Sequence, residues 1–300
     1  MPVLAVHHLT RYRYRRPVGF GEHRIMFRPR EGHDLRLISA RLDITPEPIS
    51  LRWLHDVNGN SVAVANFTER ATELRFETRV VLDHTPGGGL DFPIEPDAET
   101  YPFAYDAEEL PDLARSIERQ YPDPDHVVER WARRFLRRDT PTNTRALLAG
   151  MTQAIRADFT YISRIERGVQ APPQTLRLNS GTCRDFAVLM IEALRVLGLA
   201  AQFVSGYLHV PQKSGRVGGG ATHAWVRVYL PGAGWIELDP TNGIIGNRDL
   251  IRVAIARDHR QVLPLHGTFT GFPSDDLGMT VTVHVSAVET FHEARPPPAG

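Results

Sequence analysis

The chain has 300 residues, enough for one or two domains at about 150 residues each and for a substantial buried core. Its 35 basic and 35 acidic residues leave a formal net charge of zero, so no overall field draws it to nucleic acid or an anionic membrane, and neither is expected as a partner. A single cysteine excludes an intramolecular disulfide and any zinc site that needs two thiolates, and no metal or organic cofactor is expected.

The opening "MPVLAVHHLTRYRYRRPV" lacks a basic segment followed by an apolar run of signal-peptide length, and no later run of about 18 apolar residues could span a bilayer. A cytoplasmic protein is expected. Through about residue 85 the pattern has period two: "LTRYRYRRPV", "LRLISARLDITP", "SVAVANFTE" and "ELRFETRVVLDH" alternate or carry β-branched and aromatic residues between turns, predicting an all-β unit over 1–90. The Asn-Gly pair in "DVNGNS" (56–61) predicts a hairpin turn. Gly87, Gly88, Gly89 and a series of prolines between 85 and 111 suit neither helix nor central strand and mark the linker.

Helical spacing predicts helices over 111–121, 124–138 and 143–158. The last is capped by Asn143 and carries Leu147, Leu148, Met151 and Ile155 on one face. A fourth begins at Cys183, where Phe186, Leu189, Met190, Ala193, Leu194 and Leu197 recur at spacings of three and four and Gly198 suits a left-handed C-terminal cap. Strands follow in "AQFVSGYLHV", "THAWVRVYL", "GWIELDP" and "MTVTVHVSAVE". The stretch 91–292 therefore reads as helices followed by an antiparallel sheet, an α+β core, and 293–300 as a disordered tail.

The lone thiol stands at a helix start, straight after "SGT". A thiol attacks as thiolate, and its pKa falls near a helix N-terminus or a histidinium. The hairpin "THAWVRVYLPGAGWIELDP" supplies a histidine. If Leu230 faces Gly234 around a three-residue loop, Tyr229 pairs with Trp235 and Arg227 with Glu237, whereas a slip of one residue sets Val226 opposite Asp239 and wastes both faces. In the favoured register His223 and Asp239 share a face within side-chain reach, and a helix packed on the sheet carries Cys183 to His223.

These residues resemble the bacterial transglutaminase-like superfamily, papain-like in its Cys-His-Asp core and preceded by the bacterial transglutaminase-like N-terminal β domain. The resemblance rests on "SGTCRDFAVLMIEALRVLGLAAQFVSGYL", "THAWVRVYLPGAGWIELDPTNG", "HHLTRYRYRRPV" and "DVNGN". It implies an N-terminal all-β domain followed by a core of helices on an antiparallel sheet. By the same resemblance Cys183 is the nucleophile, His223 the general base and acid, and Asp239 the residue that orients His223. The implied chemistry is acyl transfer from a peptide or protein amide through a thioester to water or to an amine acceptor. An acidic residue common before the histidine in such proteins is replaced here by Gly220 and Ala221. The competing expectation is a weakly active or inactive scaffold that binds a protein partner through its β domain.

Several residues have plainer readings. Asp185 reads as a cap that complements the helix dipole, and Arg184 as a structural or surface group. Trp225 and Trp235 read equally as groove and as cross-strand packing, and "PQKSGRVGGGA" (211–221) equally as a lid and as a solvated loop. His7 and His8 read as strand sequence, with no further ligand at metal-binding spacing.

Overall fold

The alternating first 85 residues form five strands, β1 (Val3–Ile25), β2 (Leu35–Thr45), β3 (Ser50–His55), β4 (Ser61–Asn66) and β5 (Ala71–His84). They lie in the order β2-β5-β1-β4-β3. This arrangement is seen in a computed structural model that describes residues 3–85, 87, 89–163, 168–211 and 214–288; the expected tail, 293–300, lies outside the described residues. The predicted hairpin joins β3 to β4. Its turn is built on Asp56, whose Oδ1 accepts the N–H groups of Asn58 and Asn60 at 2.9 and 2.8 Å, while Gly59 takes the positive φ of 71° that the turn requires.

The segment after residue 90 is not a free linker. Ile94 and Ala98 are buried, the Glu95 N–H donates to Pro231 O at 3.0 Å, and the Tyr101 hydroxyl donates to Leu197 O at 2.9 Å. A short strand β6 (Thr100–Tyr101) pairs with β7 (Thr142–Asn143), closing the segment around α1 (Leu110–Ile117) and α2 (Val127–Arg133). Both helices are shorter than their periodicity suggested. Then come α3 (Thr144–Asp158), capped by Asn143 Oδ1 as expected, β8 (Thr160–Tyr161), α4 (Pro172–Leu178), β9 (Ser180–Gly181) and α5 (Cys183–Val196). The α4 helix has only seven residues and begins on two prolines, too short to show a periodicity.

A second sheet takes the order β13-β12-β11-β10-β14, built from β10 (Ala201–Leu208), β11 (His223–Leu230), β12 (Gly234–Asp239), β13 (Ile244–Ile245) and β14 (Leu250–Ala256). Leu230 faces Gly234, Tyr229 faces Trp235 and Arg227 faces Glu237, the register that satisfies both faces. The α5 helix packs on the face carrying Ala224, Val226 and Val228, forming one core with Phe186, Leu189, Met190 and Leu194. At about 1.5–3 kcal/mol for each large apolar side chain buried, this contact dominates the placement of the helix.

The last strands depart from expectation. The segment beginning at Met279 was expected to extend the second sheet, within the 91–292 unit. Instead β15 (Leu265–Thr270) and β16 (Asp276–Val288) return to the first sheet and pair with β1, from Val3 opposite Val288 to Tyr12 opposite Met279. Alternation identifies a strand but carries no address. The edge of β1 not covered by β5 offers unpaired backbone groups along this length, and β16 covers it.

The two sheets share an apolar core, in which Leu4, Val6 and Leu82 join Tyr207 and Ile251, and are also tied by buried polar contacts. Asn60 donates to Ile255 O and accepts from Ile255 N, both at 2.9 Å. Arg252 on β14 binds Asp34 of the first unit and reaches Glu237 Oε1 at 3.2 Å, and Glu237 Oε2 accepts from Trp225 Nε1 at 3.1 Å. His8 is buried and held neutral, its pKa pushed down to about 3 by burial and then by His7. Its ring bonds Tyr207 Oη at 3.0 Å and Thr10 Oγ1 at 2.9 Å, so it is a packing residue at the junction.

Candidate active site

The start of α5 is fixed by a capping box. The Thr182 hydroxyl faces Asp185 N at 3.4 Å, and Asp185 Oδ2 accepts from Thr182 N at 2.8 Å. Asp185 Oδ1 also accepts from Gln170 N at 2.7 Å, so this fully buried carboxylate is structural, in line with its plainer reading. Gly181 permits the box: a β-carbon there would stand 2.8 Å from Asp185 Cβ. The box makes Cys183 the first helical residue, where its own N–H and that of Arg184 have no intrahelical acceptor and the dipole favours negative charge.

His223 opens β11 and Asp239 closes β12. Both are buried, and His223 Nε2 donates to Asp239 Oδ2 at 2.8 Å. Asp239 is further held by the Thr241 N–H at 2.9 Å and by Asn242 Nδ2 at 2.8 Å. The other ring nitrogen, Nδ1, is buried without a hydrogen bond of standard geometry among the described residues. Charge on this ring acts on Cys183, which is 7% exposed. The structure thus brings together all three residues picked out from the sequence.

Electrostatics favour an ion pair. Burial pushes the Cys183 thiol up, but the His223 charge and hydrogen bonding, with Arg184 behind them, outweigh it and hold the thiol below its ordinary value. Burial works against a charged His223 as well; Asp239 and then Cys183 overcome it and raise the ring to about 10. Asp239 is lowered despite its burial, first by His223 and then by Asn242 and the Thr241 N–H. Arg184, read from sequence as a structural or surface group, therefore acts on the thiol through its field. It also lies over the Phe203 ring at 5.5 Å.

Three residues near the triad escaped the sequence reading. Asn242 ties Asp239 to the loop before β11, since its Oδ1 accepts from Val217 N at 2.9 Å and its Nδ2 donates to Val217 O at 3.1 Å. Gly218, with φ of 88°, rests on the imidazole. Tyr161 on β8 sits opposite Gly181 in a parallel bridge, and its hydroxyl and His223 Nδ1 both lie within 4 Å of the point a β-carbon at 218 would occupy. Burial, then Cys183 and Asp239, raise the tyrosine to about 12. The sequence offered "PTNG" and "GGG" beside the motif, but nothing linked Tyr161, 22 residues before the cysteine, to the site. Trp225 stacks on His223 with centroids 6.0 Å apart, and Trp235 packs edge-on against Tyr229 at 5.4 Å, so both are packing residues in this structure.

Comparison with known proteins fits this geometry. Residues 4–83 match the bacterial transglutaminase-like N-terminal region, and residues 129–240 match the transglutaminase-like superfamily. The chain belongs to the transglutaminase-like superfamily. An uncharacterized protein of Mycobacterium tuberculosis is 32% identical over 275 residues, covering 87% of this chain and 86% of that protein. One from Mycobacterium leprae is 27% identical over 298 residues, covering 93% and 98%. A solved structure from Cytophaga hutchinsonii, described as a "Putative Cysteine Protease", superposes with a TM-score of 0.72 at 18% identity, covering 96% of this chain and 91% of that one. That likeness shows a shared fold over both the β-rich front and the helical core.

Proposed function

We propose that the protein is a cysteine-dependent amide hydrolase or acyltransferase, with Cys183 as nucleophile, His223 as general base and acid, and Asp239 as the group that orients His223. The observation that carries this reading is the buried Nε2–Asp239 bond at 2.8 Å, which leaves Nδ1 beside a thiol at a helix start. The Cys183 thiolate adds to the amide carbonyl, and the C–N bond then breaks as the Nδ1 proton of the imidazolium passes to the leaving amine. A thioester remains. Nδ1 next takes a proton from water or a second amine, which attacks the thioester carbonyl and releases acid or new amide, restoring thiolate and imidazolium. The Cys183 N–H and the Tyr161 hydroxyl are the donors assigned to the oxyanion.

The substrate is a peptide or protein amide, and the cytoplasmic location expected from the sequence remains part of this proposal. Among the described residues no helix is long and apolar enough to cross a membrane. Replacing Cys183 by Ala should abolish both labelling by an amide-derived acyl probe and release of amine from a peptide-amide library. Retained turnover would refute the assignment.

One feature favours the partner-binding reading. Edge strand β3 exposes Leu51 and Trp53, flanked by Ile49 and by Val57, which is 95% exposed. The readings separate on the thiol: a packed cysteine alkylates slowly at every pH, an ion-paired thiolate quickly below pH 8.

A further inference from the structure

Beside the triad lies an open cleft of about 520 Å³ whose charged side chains are Arg156, Arg216 and Arg248, with no carboxylate among its lining residues. Arg216 is paired with Asp249. Arg156 spends one N–H on the neutral carbonyl of Asn242, at 2.7 Å, and has no carboxylate partner among the described residues; neither has Arg248. Two exposed guanidinium groups without a carboxylate partner among the described residues therefore border one concavity. Ser214 Oγ, also at its wall, is buried without a hydrogen-bond partner among the described residues. A buried donor left unsatisfied costs about 1–3 kcal/mol, and guanidinium forks match carboxylates in pairs of hydrogen bonds.

The position of the cleft gives this charge a use. Asn242 lines it, and its Nδ2 donates to Asp239 at 2.8 Å, so the cleft lies one hydrogen-bonded residue from the His223 partner. We propose that this cleft is a specificity subsite that takes a carboxylate of the substrate, carried by an acidic residue near the scissile amide. The proposal rests on the amide-acyl-transfer reading for the identity of its ligand, but binding can be measured without turnover. The same arginines would hold a free dicarboxylate, so the experiment must tell a substrate carboxylate from a small-molecule anion.

The test uses the full chain carrying Cys183→Ala and a positional library of fluorescent hexapeptide amides, each made with Glu and with Gln at the varied position. At one position Glu should bind about tenfold tighter than Gln, as expected for a charge-assisted hydrogen bond. Arg248→Glu should erase or invert that preference and Arg248→Gln should reduce it; Arg248 is exposed, so neither change threatens folding. Succinate should displace the Glu peptide and leave the affinity of the Gln peptide unchanged. Equal binding of Glu and Gln at every position, no binding of either, or a preference that survives Arg248→Glu would overturn the proposal. Stabilisation by succinate with no Glu preference would reassign the cleft to a free anion and overturn the substrate role. None of these outcomes depends on whether Cys183 is a nucleophile, which the turnover assay decides separately.

Discussion

Gly218 lies so close over the imidazole of His223 that a β-carbon at 218 would stand 2.8 Å from Nδ1 and 3.0 Å from Cε1. The loop that carries it is latched by the two hydrogen bonds between Asn242 and Val217. The sequence left 211–221 as lid or solvated loop; residues 212 and 213 lie outside the described residues, and at Val217 and Gly218 the loop packs on the ring.

Gly218→Ala separates these roles. Its methyl group cannot fit against a ring held by a buried 2.8 Å bond, so the loop yields before His223 does. The positive φ adds strain of about 1 kcal/mol. Alkylation of Cys183 by iodoacetamide should accelerate severalfold at fixed pH while the apparent pKa of the thiol stays put. A slower reaction would mean that the ring, not the loop, had moved.

The ion pair predicts an asymmetric response to pH. With His223 charged, the thiolate fraction grows as pH rises through a value below the ordinary 9.0. Turnover should fail again as pH passes about 10, where the imidazolium is lost. In His223→Ala burial, Arg184 and Asp239 act on the thiol; burial, the largest influence, raises it, Asp239 raises it further, and only Arg184 lowers it. Each unit gained removes about tenfold of the thiolate at pH 7. Stopped-flow alkylation should therefore be slowed about tenfold or more at pH 7 and recover toward pH 10; an unchanged profile would remove His223 from the site.

Tyr161→Phe tests the oxyanion assignment. A phenol raised to about 12 remains protonated, and so remains a donor, through the working range. Loss of one oxyanion donor costs about 10²–10³ in kcat in comparable sites. The expected signature is a fall of that order in kcat with KM and the alkylation pH profile unchanged. A change in alkylation alone would make Tyr161 a packing neighbour of the thiol.

The grouping of Cys183, His223 and Asp239 was legible in the sequence because each lies inside a strongly patterned element. Cys183 begins a helix whose cap and apolar spacing are local, and the His223–Asp239 pairing follows from a hairpin in which only one register satisfies both faces. What stayed hidden depends on contacts between distant segments. Tyr161 reaches the site through a two-residue parallel bridge, and β16 pairs with β1 across more than 250 residues of chain. Neither leaves a periodic trace, because alternation specifies which side of a strand is buried and not which strand lies alongside.

The "DVNGN" turn illustrates the same divide and permits a stability test. Asp56 and Gly59 explain its shape locally, yet Asn60 is fully buried because it bonds both backbone groups of Ile255 in the other sheet. Asn60→Ala strips partners from a buried N–H and a buried C=O, at about 1–3 kcal/mol each. Asn60→Asp keeps the acceptor for Ile255 N but sets a carboxylate against Ile255 O and the Asp56 carboxylate, now without the amide donor between them. Both variants should lower the urea midpoint, Asn60→Asp by at least as much near neutral pH. Its deficit should shrink as acid protonates the new carboxyl, because a protonated oxygen can donate again. A turn that served only to reverse the chain would tolerate both substitutions within about 0.5 kcal/mol.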